Sequence, residues 1–162
     1  LSILIGALLA TALFGKFIFY HGQSLDAINR GLKEYWGEQK IIAEIQEHTQ
    51  DEYVLALAKL CDIFPSELKK VQCVAGYVDS TYSYNETDYN NIIPKTPRAL
   101  LVEGGICEDY TSFYGSVLHN LNIPFEVENS FTREDGHVFI VVKSPENTWR
   151  YAILDQSQFE VY

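Results

Sequence analysis

The sequence predicts an α+β domain: one helix opening at Cys107 packs on an antiparallel sheet, preceded by further helices and an amino-terminal hydrophobic helix. Three observations carry this. An amphipathic run of helical period follows Gly104-Gly105-Ile106-Cys107. Two β-branched and aromatic runs, Val138–Val142 and Trp149–Leu154, flank the turn-forming segment Ser144-Pro145-Glu146-Asn147-Thr148. Residues 24–60 and the stretch from Pro65 through Val78 read as helical.

Residues 1–20 form a nearly unbroken apolar stretch, interrupted among polar residues by Ser2, Thr11 and Lys16. About 20 helical residues span roughly 30 Å, the thickness of a bilayer's hydrocarbon core. Lys16 is placed to snorkel to the interface, beside Phe17, Phe19 and Tyr20 as interfacial aromatics. A transmembrane anchor, a retained signal segment and a helix buried against partner subunits all fit this pattern. A chain that opens on Leu1 and holds no Met also fits a processed or partial product.

Residues 21–65 read as a helical connector. Ser24-Leu25-Asp26 offers a cap, and Ile28, Leu32, Tyr35 and Trp36 give one apolar face. Gly37 is expected to break the helix. Beyond it, Ile41, Ile42, Ile45, His48, Tyr53, Leu55, Leu57 and Leu60 fit one long helix or two short ones. Pro65-Ser66-Glu67-Leu68 starts the next helix, and with it a domain over residues 66–162. Residues 83–95 are polar and turn-rich, a loop suited to shaping a cleft before Cys107. They include Asn85-Glu86-Thr87, a glycosylation-type sequon that chance often produces.

The helix after Cys107 carries Tyr110, Phe113, Tyr114, Val117, Leu118 and Leu121 on its apolar face and closes at Asn122-Ile123-Pro124. Cys107 thus falls in a first helical turn, where unpaired N–H groups and the macrodipole favour an anion and depress a thiol pKa. The glycines before it permit a tight turn and leave room for a substrate. His137 opens the strand Val138–Val142, which reads as buried, and Asp155 ends the following strand. Antiparallel pairing brings the start of one strand beside the end of the other. A thiol, an imidazole and a carboxylate are the elements of nucleophilic catalysis, in which a base activates the sulfur and a third group orients the base.

These segments resemble the transglutaminase-like superfamily of cysteine hydrolases, within the papain-like fold. Gly105-Ile106-Cys107-Glu108-Asp109-Tyr110 is similar to that family's Gly-x-Cys-x-Asp-Tyr/Phe nucleophile segment. Leu118 through Pro124 resembles its Leu…Gly-Ile-Pro helix exit, with Asn122 in place of glycine. Tyr77-Val78 and Tyr82-Ser83-Tyr84 resemble the helix end before the nucleophile loop, and Ala99-Leu100-Leu101 the short connection into it. Where many members carry His-Ala-Trp, this chain has His137-Val138-Phe139. The resemblance covers roughly residues 66–162. It implies that Cys107 is the nucleophile, His137 the general base and acid, and Asp155 the residue orienting His137. A thioacyl-enzyme would then be resolved by water in a peptidase, isopeptidase or amidase, or by an amine in a transamidase. Gln72 and Tyr84 are candidates by position for an oxyanion-hole side chain, alongside a backbone N–H at Cys107. The alternative from another class is a non-catalytic transglutaminase-like scaffold in a virion or membrane-associated assembly.

A formal charge of −10 over 162 residues argues against nucleic-acid partners, because phosphate contacts need a basic surface. It also points to a substrate that is not strongly anionic. No Walker loop, dinucleotide fingerprint, zinc spacing or EF-hand loop occurs, and His48 and His119 lack companions at metal-ligand spacing. No cofactor and no metal are therefore expected. The expected partners are a peptide or isopeptide substrate, plus a membrane or partner subunits through residues 1–20. That places the protein at a membrane with residues 66–162 extracytoplasmic, or alternatively in a viral particle. Cys61 and Cys73 are either a disulfide that leaves Cys107 free or two buried thiols.

Overall fold

The computed structural model describes residues 37–85, 95–130, 137–144 and 149–162. The hydrophobic helix expected over residues 1–20 and the cap and apolar face expected over 24–36 lie outside the described residues. So do residues 86–94 and the hairpin-loop residues 145–148.

Helix α1 is described over residues 37–48. Gly37, where a break is expected, is the first described residue of this helix, and the residues before it lie outside the described ones. The apolar run from Ile41 to Leu60 resolves into two helices, not one. Asp51 stops the continuation by capping α2 (Glu52–Asp62), its Oδ1 accepting from the N–H groups of Tyr53 at 2.8 Å and Val54 at 3.4 Å. Ser66 caps α3 (Glu67–Thr81) in the same way through the Lys69 N–H. Val54, Leu57, Ala58 and Cys61 of α2 share a buried core with Val71, Val74, Ala75 and Val78 of α3. A Cys61–Cys73 disulfide, with Cα atoms 5.6 Å apart, staples the two helices and leaves Cys107 as the free thiol.

The segment expected as a connection is itself a short helix, α4 (Pro97–Glu103), with Thr96 as cap and Pro97 in the first turn. Helix α5 (Cys107–Asn120) is the centre of the fold, and every residue from Asp109 to Leu118 is buried. Its apolar face meets α2, α3 and the sheet. Its small polar face meets α1: Ser116 donates to Ile45 O at 3.0 Å and Asn120 to Thr49 O at 2.9 Å. The exit explains the asparagine in place of glycine. Asn122 has φ 55, in the left-handed region that asparagine tolerates. Ile123 N–H donates to Leu118 O and Asn122 N–H to His119 O, the paired bonds of a Schellman stop.

Among the described residues four antiparallel strands follow in spatial order β1-β2-β3-β4: β1 (Glu126–Ser130), β2 (His137–Lys143), β3 (Tyr151–Asp155) and β4 (Gln158–Val161). β2 and β3 are the expected pair, although Trp149 and Arg150 precede β3 instead of belonging to it. β1 and β4 are edge strands whose charged residues Glu126, Glu128 and Glu160 obscure their strand character in the sequence. β2 is not buried throughout. Val138, Ile140 and Val142 are buried, and His137, Phe139 and Val141 alternate with them in half-exposed positions. Ile140, Val142, Ala152 and Leu154 complete the core that α5 supplies with Phe113, Tyr114, Val117 and Leu118. Among the described residues no helix is long and apolar enough to cross a membrane.

Candidate active site

The turn into α5 is held from three directions. Gly104 has φ 74, and a Cβ there would stand 2.1 Å from Ser83 O, so the backbone needs glycine. A Cβ at Gly105 would meet Leu100 Cδ1 at 2.5 Å and Asp109 Oδ2 at 2.7 Å. Gly105 N–H donates to Ser83 O at 3.0 Å and Asn85 N–H to Gly105 O at 3.1 Å, so residues 83–85 run beside the turn. The buried carboxylate of Asp109 accepts from Ile106 N–H and from Lys95 N–H, both at 2.9 Å. This one side chain closes the helix start and ties it to the segment before α4. Tyr110 completes the clamp, its hydroxyl donating to Ser83 O at 2.9 Å and accepting from Ser83 N–H at 3.0 Å.

Cys107 is the first residue of α5 and is half-buried. Its thiol differs from the expectation of a depressed pKa. Burial pushes it up, the N–H groups of Val138 and Glu108 oppose that, and the charges of Glu108 and Asp155 add to the rise. Loss of hydration outweighs the helix start, so the thiol form is favoured. The Val138 contact brings the sulfur to the residue next to His137. Thr111 fixes the same meeting of α5 with β2 by donating to Val138 O at 3.1 Å. Among the described residues no hydrogen bond joins Cys107 directly to His137.

His137 and Asp155 are in direct contact, with His137 Nε2 2.7 and 2.8 Å from the two carboxylate oxygens. The register explains the reach. Ile140 pairs with Leu154, so Asp155 lies one step on, opposite Phe139, and His137 is its diagonal neighbour on the same face. An ionised carboxylate can only accept, which puts the proton on Nε2 and leaves Nδ1 as the basic nitrogen. The turn after Asp155 is pinned as well. Gln156 has φ 52, its carbonyl accepts from Tyr114 OH at 2.5 Å, and its side-chain Oε1 accepts from Tyr82 OH at 2.8 Å. Burial raises the Tyr114 pKa, which keeps that hydroxyl a donor.

The family model described as a transglutaminase-like domain matches residues 23–161. The chain belongs to that family. No curated protein and no solved structure matches it. In this transglutaminase-like chain Gln72 is exposed on α3, whereas Tyr84 bridges to Gly105 in the turn before Cys107. His48 packs on α5, 3.5 Å from Ser112 Oγ, and His119 is exposed.

Several residues around this turn carry little local signal in the sequence. Glu44 is the most unusual. It is 9% exposed, and its Oε2 is buried with no hydrogen-bond partner among the described residues. Burial foremost pushes its pKa up to about 7; Lys40 opposes the rise, and Glu108, Asp109 and Glu47 add to it. Its spacing with Ile41, Ile45 and His48 put an acid on an apolar helical face, and that was the available clue. Thr111, Tyr82 and Tyr114 act through partners distant in sequence. Beside this region a cleft of about 440 Å³ opens between α1 and β1, lined by Glu38, Ile42, Phe125, Glu126, Val127 and Glu128. Phe125 and Val127 also pack on the Ile41, Ile45 and Val138 cluster that Cys107 touches.

Proposed function

We propose that this protein is a thiol-dependent amide hydrolase of the peptidase, isopeptidase or amidase type. The observation that carries the reading is the His137–Asp155 pair at 2.7 Å on the strand segment whose Val138 N–H contacts the Cys107 thiol. His137 Nδ1 takes the thiol proton as the sulfur attacks the amide carbonyl, forming a C–S bond. The Cys107 N–H is an oxyanion donor by position, with Tyr84 beside it. As the C–N bond breaks, the imidazolium returns the proton to the leaving nitrogen. Water, deprotonated by the same imidazole, then cleaves the thioester to give an acid and the free thiol. Asp155 holds the imidazole in the tautomer this requires and stabilises the imidazolium. A transamidase would differ only in an amine replacing water.

The acidic cleft between α1 and β1 fits a neutral or cationic peptide substrate better than an anionic one. The Cys61–Cys73 disulfide suits an oxidising compartment, in keeping with a catalytic domain held outside the cytoplasm by residues 1–20. The competing reading, a non-catalytic scaffold, draws on the raised Cys107 thiol and its lack of a direct bond to His137.

The test compares wild type with Cys107→Ala using a thiol-directed probe and a panel of peptide amides and isopeptides. The enzyme reading expects probe labelling and cleavage in wild type and neither in the folded variant. Cleavage that survives Cys107→Ala refutes it, and a wild-type protein inert to the whole panel favours the scaffold. A primary amine captured into product would mark the transamidase.

A further inference from the structure

The α1–α5 seam holds a charge relay that the hydrolytic steps do not use. Lys40 Nζ lies 4.0 Å from Glu44 Oε1 and 3.7 Å from Glu108 Oε2, so a single cation is shared between the buried acid and the residue next to the nucleophile. Glu44 sits between Ile41 and Ile45, and both pack with Val138 in the cluster against which Cys107 rests. Its second oxygen has no hydrogen-bond partner among the described residues. A buried carboxylate with so little compensation is costly, whereas the protonated acid is tolerated.

We propose that Glu44 is a positioning residue for the nucleophile: protonated, it leaves Lys40 to offset Glu108 and lets Cys107 ionise; ionised, it claims Lys40 and suppresses the thiolate. The proposal rests on the assignment of Cys107 as nucleophile. The groups that set the balance are Lys40, Glu47 and His48 on α1, Glu108 and Asp109 on α5, His137 on β2 and Asp155 on β3. The neighbouring cluster also receives Phe125, just before β1, and Val127 of β1, neither of which titrates. The physical sign is simple. Negative charge added near a thiol raises the energy of its thiolate, and Glu108 and Asp155 already act that way on Cys107. Glu44 titrating at about 7 puts the change within the range where a cysteine enzyme works.

The test measures alkylation of Cys107 by iodoacetamide from pH 5 to 9 in the full chain, comparing wild type, Glu44→Gln and Lys40→Gln. Alkylation reports thiol ionisation whether or not any amide is cleaved, so it can fail or succeed independently of the hydrolase reading. Glu44→Gln is expected to match wild type below pH 6 and to label roughly 3- to 10-fold faster above pH 7.5, as removal of a nearby partly screened charge implies. Lys40→Gln alters a half-exposed position and keeps the test usable if the buried variant does not fold. Without the shared cation Glu44 should hold its proton to higher pH, which moves the inflection in the labelling profile upward. A Glu44→Gln profile that follows wild type throughout, in a variant that melts cooperatively, overturns the proposal. An unmoved inflection in Lys40→Gln does the same.

Discussion

Replacing Glu44 with glutamine should change how stability depends on pH more than it changes stability at any one pH. The carboxyl titrates at about 7 in the fold, against an ordinary value of 4.5 that it regains on unfolding. Below pH 4.5 it is protonated in both states and contributes no difference. From pH 4.5 to 7 the unfolded chain releases the proton while the folded chain keeps it, so stability falls as pH rises. Above pH 7 the whole effect is present. About 2.5 pH units at about 1.36 kcal/mol each make the fold about 3 kcal/mol less stable at pH 8 than at pH 4 through this group alone. Urea denaturation of wild type and Glu44→Gln across pH 4 to 8.5 isolates that amount, because the other titrating groups are common to both. The variant should gain on wild type by about 3 kcal/mol over the interval. A gap that changes by less than about 1 kcal/mol would refute the reasoning, since Glu44 would then be hydrated or paired in the fold.

Asp155→Ala should leave the fold intact and reduce amide turnover by about 10⁴-fold, because nothing then fixes the tautomer of His137 or stabilises its imidazolium; steady-state kinetics on a cleaved substrate checks this. Tyr114→Phe removes the donor to Gln156 O and should lower stability by about 1–3 kcal/mol in chemical denaturation, with a fall in kcat and little change in KM. The double variant Cys61→Ala/Cys73→Ala opens a loop with a sequence separation of 12 and should lose about 3 kcal/mol of stability. Its Cys107 should label at the wild-type rate.

What could be read from the sequence was what local pattern encodes. The run from Tyr110 to Leu121 has one helical period, so the start of α5 at Cys107 followed directly from the glycines before it. The β2–β3 hairpin followed from two apolar runs around a turn, and with it the nearness of His137 to Asp155. Tertiary balance was harder to read. The helix start at Cys107 carries the expected N–H donors, yet burial against α1 and β2 reverses the net effect on the thiol. Glu44 was hidden because a charged residue is ordinarily solvated, and only the packing of α1 on α5 removes its water. The β1 strand was masked by Glu126 and Glu128, whose exposed positions on an edge let charge replace the usual strand residues. Asp109 stood in the family-like segment. Its second bond, to Lys95, crosses residues that nothing local connects.

The sulfur and the imidazole–carboxylate couple ride on separate carriers, one a helix terminus and the other a ribbon that supplies both of its members. The couple is therefore self-sufficient: sliding the helix by a fraction of an ångström alters the gap to the sulfur without disturbing the couple's own bond. In the proposed hydrolase the offset between helix and ribbon is then the coordinate that sets reactivity, and Thr111 pegs it through its bond to Val138 O.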